Sequence, residues 1–439
     1  MLAKIKEKFL TKKAFFKGSS VLALTTLLSY TLGLLRDRVF ARTFGAAHIL
    51  DAYNAAFTLP DLILNIFVAG ALTAAFVPIF SDLTSQRKFK ETGDFINSVL
   101  NGSLLVVLLS GLAVFALAPQ LSNLIVPGFS PQAKEIFINL TRLLLLSPLI
   151  FSVSNTLGNI LVAQENFFWF GISAALYNLG IIAGAVFLTP YYGIYGVAIG
   201  TIAGALLHLA TRVIGLKYRY RWRPVINFSY DYRRFLKLML PKVVGHPIEQ
   251  LTFLGFTIIA STISAGSIAI LNFARNFQSA PINIIGATFA LTAFPLLTRA
   301  VSAEDRKTFR KELSFTFNAI LLISAAAAVV IYFLRRPLIT ILLGGGAFNQ
   351  TAIGLTAATL GIFALSIPTE SLSHLLARGF YAKKDSLTPV LVGLGSLVIA
   401  VASAWGFAKT LGVPGLAWGF FMGSILKTAL LYALLNNKS

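Results

Sequence analysis

The sequence predicts an all-α polytopic membrane protein with about twelve transmembrane helices in two six-helix lobes related by a parallel pseudo-repeat. Three observations support this fold class. Of the 439 residues, 56% are hydrophobic and only 12% are charged, whereas soluble domains carry about 25% charged residues. Long apolar runs recur along the whole chain, and segments of its two halves resemble each other. This composition excludes a soluble globular enzyme.

The apolar runs are long enough to cross a bilayer, which requires about 20 residues in a helix. They are continuously apolar instead of alternating, so they disfavour a membrane β-barrel. The second, eighth and tenth runs are long enough to be tilted or broken. The twelve runs lie at about 18–42, 54–80, 96–118, 136–162, 167–189, 192–215, 235–261, 266–297, 313–334, 352–378, 387–408 and 413–435.

Basic residues outside these runs predict the orientation. Lys and Arg number 37 against 16 Asp and Glu, a net charge of +21. Most lie in the N-terminus and in every second loop, whereas the opposite loops carry few. By the positive-inside rule both termini are cytoplasmic. The basic residues of the opposite loops are Arg42, Lys134, Arg335, Arg336 and Lys409.

An internal repeat relates the two halves of the chain. The segment ALTAAFVPIF (71–80) is echoed by ALTAFPLL (290–297), and YGIYGVA (192–198) by LGVPGLA (411–417). Six helices in each half is an even number, so the repeats are parallel. We expect a central cavity between the lobes that opens alternately to each side. The predicted parts are a basic amphipathic leader at 1–17, an N-lobe at 18–215, a basic cytoplasmic linker at 216–234 and a C-lobe at 235–435.

Charged residues inside the apolar runs are candidates for function, because burying a charge in lipid is costly. The first run contains Arg36, Asp37 and Arg38 in LGLLRDRVFARTF (32–44). At 100° per residue, Arg38 shares a face with Arg42, while Arg36 and Asp37 point elsewhere. Two interpretations of Arg36 and Asp37 stay open, a pair lining the cavity or an anchor at the membrane interface.

The seventh and eighth runs supply a second polar group. Lys242, His246 and Glu249 are spaced to share one helical face, which suits either a cavity wall or structural packing. Arg275 and Asn276 lie early in the eighth run, where packing alone explains an arginine poorly.

Further candidates lie on the second and tenth runs. Asp61 follows Pro60 at a helix start, so it serves either function or the helix dipole. Glu370 and His374, four residues apart, form a candidate proton relay. We predict no catalytic residue and no metal site, because the long loops contain no carboxylate pair or His cluster and the chain contains no Cys.

Several arginines in membrane segments indicate an anionic ligand, since guanidinium groups bind phosphate oxygens bidentately. A cavity for cationic drugs would need an excess of carboxylates. Because the basic excess accompanies apolar runs, it does not indicate binding to nucleic acid.

Five segments together resemble the MurJ (MviN) lipid II flippases of the multidrug/oligosaccharidyl-lipid/polysaccharide exporter superfamily. The resemblance extends over nearly the whole chain, and each segment is weak evidence on its own. The segments are 32–80, LMLPKVVGHPIEQ (238–250), 266–299, GGGAF (344–348) and LLARGFYAKKDSLTP (375–389).

The resemblance implies a transporter, not an enzyme, that carries the undecaprenyl-pyrophosphate-linked peptidoglycan precursor, lipid II, across the membrane by alternating access. It implies that Arg36 and Asp37 match the family's cavity arginine and its acid. No bound cofactor is expected, and coupling to the membrane potential or to a monovalent cation is a hypothesis. The expected partners are lipid II or a related polyprenyl-pyrophosphate glycolipid, membrane lipids and cell-wall synthesis proteins.

The sequence also departs from the family pattern. A family basic residue in the second helix falls near Asn65, and the Asp–Arg pair of the eighth helix aligns with Arg275 and Asn276, which shifts the positive charge by one position. The family's acid in the seventh helix falls near Phe256. Family members also generally continue with a further pair of helices for the lipid tail. A flippase for another polyprenyl-linked glycan, a drug or cation antiporter of the superfamily, and a scaffold for cell-wall enzymes therefore stay open as alternatives.

Overall fold

A computed structural model describes the backbone of residues 2–67, 71–216, 221–245 and 248–437, and the side chains of 20–66, 75–216, 221–239 and 248–436. Within these ranges the regular structure is helical, apart from one isolated bridge between Gly345 and Phe348. The all-α prediction is therefore confirmed. Continuous apolar sequence explains it, because a helix satisfies all of its backbone hydrogen bonds within one segment.

The helices are numbered in chain order, and two π-helical turns, Gly184–Leu188 and Ile282–Ala287, interrupt the series. The helices are α1 Leu2–Phe44, α2 His48–Ala56, α3 Thr58–Phe67, α4 Ala71–Ser85, α5 Phe89–Ile125, α6 Pro131–Leu144, α7 Leu146–Ala163, α8 Phe167–Ala183, α9 Thr189–Tyr192, α10 Ile194–Gly215, α11 Tyr230–Gly245, α12 Ile248–Ser261, α13 Ser267–Pro281, α14 Thr288–Ser302, α15 Arg306–Leu342, α16 Gln350–Leu365, α17 Ile367–Ala382, α18 Leu387–Leu411 and α19 Val413–Asn437.

Among the described residues, eight helices are long and apolar enough to cross a membrane, or nine when one bent pair counts as a span. The protein is therefore multi-pass. The predicted runs at 54–80 and 235–261 correspond to shorter helices and include residues outside the described ranges. The described helices are consistent with twelve membrane spans, and this number stays a prediction. The eight are Phe89–Ile125, Pro131–Ala163, Phe167–Tyr192, Ile194–Gly215, Ser267–Ser302, Arg306–Leu342, Leu387–Leu411 and Val413–Asn436.

The tenth predicted run is broken, as its length suggested. Helices α16 and α17 meet at a bend of 41°. Pro368 near the start of α17 lacks an N–H and cannot continue the helical hydrogen bonding of α16. The buried side-chain amide of Gln278 on α13 donates to the Ser366 hydroxyl at the break, at 2.6 Å, so a neighbouring helix supplies a polar partner there.

The chain divides into two compact units, each with its own core. Unit 1 comprises Met1–Phe40, Ala56–Ser122 and Lys134–Pro247, and unit 2 comprises Ala41–Ala55, Asn123–Ala133 and Ile248–Ser439. In unit 1, Phe76 stacks on Phe95 at 5.2 Å within a buried apolar cluster. In unit 2, the corresponding cluster includes Leu297, Leu375 and Phe380.

Glycines set the close packing of α8 against α10 in unit 1 and of α18 against α19 in unit 2. A Cβ on Gly180 of α8 would lie 2.4 Å from the Cα of Gly204 on α10, so these backbones approach closely only because both residues are glycine. A similar approach recurs in unit 2, where Gly423 of α19 packs against Ala400 of α18. Small residues thus allow two helices to pack closely in each unit.

Candidate functional site

The first candidate pair lies on α1, in unit 1. The Arg36 guanidinium donates to the Asp37 carboxylate through Nη2 at 2.8 Å and Nε at 3.1 Å. Its Nη1 donates to the Asn178 side-chain oxygen on α8 at 3.1 Å. The Asp37 side chain is 5% exposed and that of Arg36 is 25% exposed. A buried acid and a neighbouring helix therefore fix a guanidinium whose side chain is partly exposed.

The remaining unit 1 candidates have local roles in the structure. Arg38 is half-buried on α1. Asp61 is exposed in the first turn of α3, where the helix dipole favours a carboxylate. The Asn65 side-chain amide donates to the Asp61 backbone oxygen at 2.9 Å. Asn65 therefore uses this donor within its own helix.

The second candidate pair joins α12 to α13, in unit 2. Arg275 Nη2 donates to Glu249 Oε1 at 2.9 Å, and the guanidinium carbon lies 3.5 Å from the centre of the Phe253 ring. The Arg275 side chain is 30% exposed and that of Glu249 is 63% exposed. Asn276 beside it is half-buried. The side chains of Lys242 and His246, expected on the face of Glu249, lie outside the described residues.

A third group joins α17 to α19, in unit 2. Lys427 Nζ donates to Glu370 Oε2 at 2.7 Å. In the adjoining contact between the same helices, the Thr369 and Ser424 hydroxyls lie 2.6 Å apart. His374 follows Glu370 by one turn on α17. The structure thus gives the proposed relay a lysine that sequence reasoning missed, although Lys427 is a charge within an apolar run.

Asp51 on α2 was also missed, and it fixes the start of the helix that carries Arg275. Its carboxylate accepts the backbone N–H groups of Gly266 at 2.6 Å and Ala269 at 2.8 Å, at the beginning of α13. Asp51 is 1% exposed, and burial raises its pKa to about 7 while the backbone donors act in the opposite direction. The partners of Asp51 are backbone groups more than 200 residues away in the sequence, so no pattern of side chains in the sequence predicts these hydrogen bonds.

Arg212 on α10 is the third residue that sequence reasoning missed. Its buried guanidinium donates through Nη1 to the Ser154 backbone oxygen at 2.9 Å and the Asn155 side-chain oxygen at 2.7 Å, and through Nε to the Ser173 hydroxyl at 3.2 Å. These neutral acceptors connect α10 to α7 and α8. A buried charge held by several oxygens is a structural clamp.

The comparisons with known proteins agree across sequence and structure. A family model described as lipid II flippase MurJ matches residues 40–439. A lipid II flippase MurJ of Burkholderia cenocepacia is 28% identical over 430 residues, covering 94% of this chain and 82% of the relative. A probable lipid II flippase MurJ of Haemophilus influenzae is 28% identical over 437 residues, covering 93% and 83%.

Comparison with solved structures also finds a lipid II flippase MurJ. A lipid II flippase MurJ in an inward closed conformation matches with a TM-score of 0.82 and 25% identity, covering 95% of this chain and 87% of that one. An inward-facing multidrug resistance MATE family transporter of the MOP superfamily matches with a TM-score of 0.76 at 16% identity, covering 93% and 94%, and so shares the fold. The family match spans more than half of the chain, and the chain therefore belongs to the lipid II flippase MurJ family.

Proposed function

We propose that this chain is a transporter that moves lipid II, the polyprenyl-pyrophosphate-linked peptidoglycan precursor, across the bacterial cytoplasmic membrane by alternating access. Family membership supports the substrate class. The chemistry of the described charged residues supports a phosphate-bearing ligand independently. We also propose that the headgroup crosses without chemical conversion.

One observation carries the proposal. Each unit presents an arginine whose guanidinium is held by a carboxylate yet partly accessible: Arg36 with Asp37, and Arg275 with Glu249. A guanidinium has five donors in a planar fork, so it can keep a carboxylate partner and still donate to phosphate oxygens. We therefore assign Arg36 and Arg275 to the pyrophosphate.

The acids have a second role in this proposal. A bound pyrophosphate shares its arginine with the carboxylate, whose negative charge weakens the hold on the anion and favours release. Lys242, which lies on α11 seven residues before Glu249, is proposed as a further cation for the ligand. Asn65 and Asn276 are proposed as neutral polar contacts.

Coupling to the membrane potential or to a monovalent cation remains part of the proposal. Moving one charge through the potential is worth about 2.3 kcal/mol per 100 mV, so a cationic binding site can be driven by it. Glu370, His374 and Lys427 are proposed to exchange a proton during the cycle. The Lys427 ammonium contacts Glu370 at 2.7 Å, so a change in the charge of either partner would loosen α17 from α19.

The equivalent position in unit 1 argues for a specific role of this ion pair. Extending the match between 192–198 and 411–417 in register pairs Phe151 with Glu370 and His208 with Lys427. In unit 1 the two rings meet edge to face at 4.9 Å, and His208 Nδ1 lies 2.8 Å from the Ser154 hydroxyl. The architecture thus tolerates a contact without an acid at this position, so packing alone does not require Glu370.

The orientation is proposed from the basic loops, which place both termini in the cytoplasm. We also propose cell-wall synthesis proteins as partners, because they would consume the precursor after translocation.

The test is precursor translocation in a bacterium depleted of its own flippase. The parent chain, Arg36→Ala and Arg275→Ala are compared by the accessibility of lipid II in the outer leaflet. We expect rescue by the parent and loss in both variants at equal membrane levels. Arg142→Ala is the matched control, because Arg142 lies in a candidate membrane span but donates to the Phe115 backbone oxygen at 3.2 Å.

A well-inserted parent that fails to rescue would contradict lipid II as substrate. Equal loss in Arg142→Ala would show that any lost arginine disables the chain, and would remove the argument for a phosphate site. Collapsing the membrane potential while keeping the pH gradient tests coupling, and unchanged transport would refute the potential hypothesis.

A further inference from the structure

An extended segment after α10 is bound along the side of α5. This segment, residues 221–229, is called the strap below. Asn97 accepts the Arg223 backbone N–H through Oδ1 at 2.8 Å, and Ser98 accepts the Asn227 N–H at 2.8 Å. The Asn101 amide donates to the backbone oxygens of Arg223 at 2.7 Å and Val225 at 2.9 Å. Side chains on one face of α5 thus supply hydrogen-bond partners for the backbone of the strap.

This anchoring gives the strap a defined position. Asn97 and Ser98 are buried, so their hydrogen bonds with the strap are shielded from water. The Trp222 indole N–H donates to the Asn101 side-chain oxygen at 2.9 Å. Because backbone groups make most of these bonds, the strap's side chains remain available for other contacts.

The outward side chains combine positive charge with apolar rings. Arg221 and Arg223 are exposed. The Trp222, Val225 and Phe228 side chains are each more than half exposed, at 57%, 54% and 59%. Exposed aromatic rings interleaved with arginines are typical of the zone where lipid headgroups meet the acyl chains.

The strap lies one helical turn from a row of exposed leucines on α5. Asn101, its last anchor, precedes Leu105 by one helical turn, about 6 Å along a helix. From Leu105 onward α5 exposes Leu108, Leu109 and Leu112, as expected of a surface in contact with acyl chains. The strap also starts soon after α10, a candidate membrane span, ends at Gly215.

We propose that the strap is a binding surface for anionic phospholipid headgroups. Arg221 and Arg223 bind lipid phosphates while Trp222 and Phe228 insert at the interface. The α5 residues Asn97, Ser98 and Asn101 hold these four side chains in place. This surface uses other residues than Arg36 and Arg275, and its occupancy does not depend on the identity of the transported precursor.

Trp222 is a built-in probe of this surface. The full chain is placed in nanodiscs of phosphatidylcholine and phosphatidylglycerol, with bromine on the acyl chains of one lipid at a time. The protein has four Trp, so subtracting the signal of Trp222→Phe isolates Trp222. We expect brominated phosphatidylglycerol to quench Trp222 more than brominated phosphatidylcholine. Each arginine should enrich phosphatidylglycerol over phosphatidylcholine beside Trp222 by about fivefold.

The double variant Arg221→Gln with Arg223→Gln should remove this preference and leave quenching by both lipids. The matched control, Arg306→Gln with Arg310→Gln, removes the same charge from exposed positions in the first turns of α15 and should leave the preference unchanged. Asn101→Ala should reduce it while both arginines remain, because the strap loses an anchor.

Three results would overturn the proposal. Equal quenching of the parent by both lipids would show a surface without headgroup selectivity. Absence of quenching by either lipid would place Trp222 away from the bilayer and leave the surface to a soluble partner. Loss of the preference on adding excess glycerol 3-phosphate would indicate a site for free phosphates.

Discussion

The two arginine–carboxylate pairs use the same groups but differ in how the acid is held. In unit 1, Asp37 is next to Arg36 in sequence, is 5% exposed and lies on the same helix. In unit 2, Glu249 reaches Arg275 from another helix, and its side chain is 63% exposed. The acid is part of the protein interior in the first pair and accessible in the second.

This difference separates a fixed cation from an exchangeable one. Displacing Asp37 from Arg36 would leave a buried charge without its partner, which is costly. Glu249 can move into water when an anion replaces it, while the Phe253 ring continues to hold Arg275. We infer that Arg36 positions the ligand and that Arg275 exchanges one anionic partner for another.

The comparison predicts the largest effect for Asp37→Asn. This change leaves Arg36 without its buried anion, and we expect a loss of about 2 kcal/mol in the free energy of unfolding, less than for a fully buried pair because the arginine is partly accessible. Glu249→Gln should cost less than half as much, since its acid is exposed. Thermal unfolding in detergent measures both. Equal losses would show that burial of the acid does not distinguish the pairs.

Replacing each arginine by lysine tests the fixed cation next. Arg36 contacts Asp37 and Asn178 from different edges of its fork, and a lysine ammonium cannot reproduce this planar geometry. We expect Arg36→Lys to lower precursor translocation about tenfold, because the variant loses one charge-assisted hydrogen bond. Arg275→Lys should lower it less, because an exposed Glu249 can follow the shorter donor. A larger loss in Arg275→Lys would reverse the assignment.

The four residues of the two arginine–carboxylate pairs could be predicted from the sequence, for a physical reason. Arg36, Asp37, Glu249 and Arg275 are charges inside apolar runs, and lipid makes such charges rare unless they are paired or functional. The same rule should have selected Lys427.

Sequence reasoning failed where a partner is a backbone group, and it did not locate the helix breaks. Asp51 binds the N–H groups of Gly266 and Ala269 in the other half of the sequence, which no spacing rule reveals. The run at 54–80 is long enough to be broken, but its length does not show where: α2 ends at Ala56 and α3 begins at Thr58. The apolar content of a run predicts that the segment prefers lipid. The position of a helix break depends instead on which local groups hydrogen-bond to the backbone there.

Competition between Glu249 and a ligand is the direct test of the exchangeable cation. Glu249→Gln removes the competing charge while keeping a neutral hydrogen-bonding group, so a soluble anion should bind Arg275 more tightly. We expect inorganic pyrophosphate to bind the variant about fivefold more tightly, the effect of about 1 kcal/mol. Isothermal titration of detergent-solubilised protein measures it. Asp37→Asn serves as the comparison variant, and a fivefold gain there but not in Glu249→Gln would refute the distinction.

The smallest expected effect concerns the ring beneath Arg275. The guanidinium carbon lies 3.5 Å from the centre of the Phe253 ring, and a cation–π contact at a partly exposed position contributes about 0.5–1 kcal/mol. Phe253→Leu keeps an apolar side chain but removes the π face. If the ring holds Arg275 while Glu249 leaves, this variant should weaken pyrophosphate binding about two- to fivefold with little change in thermal stability. Adding Phe253→Leu to Glu249→Gln should produce the larger loss, because the ring is then the main remaining support of the guanidinium. Equal losses in the two backgrounds would show that the ring and the acid act independently.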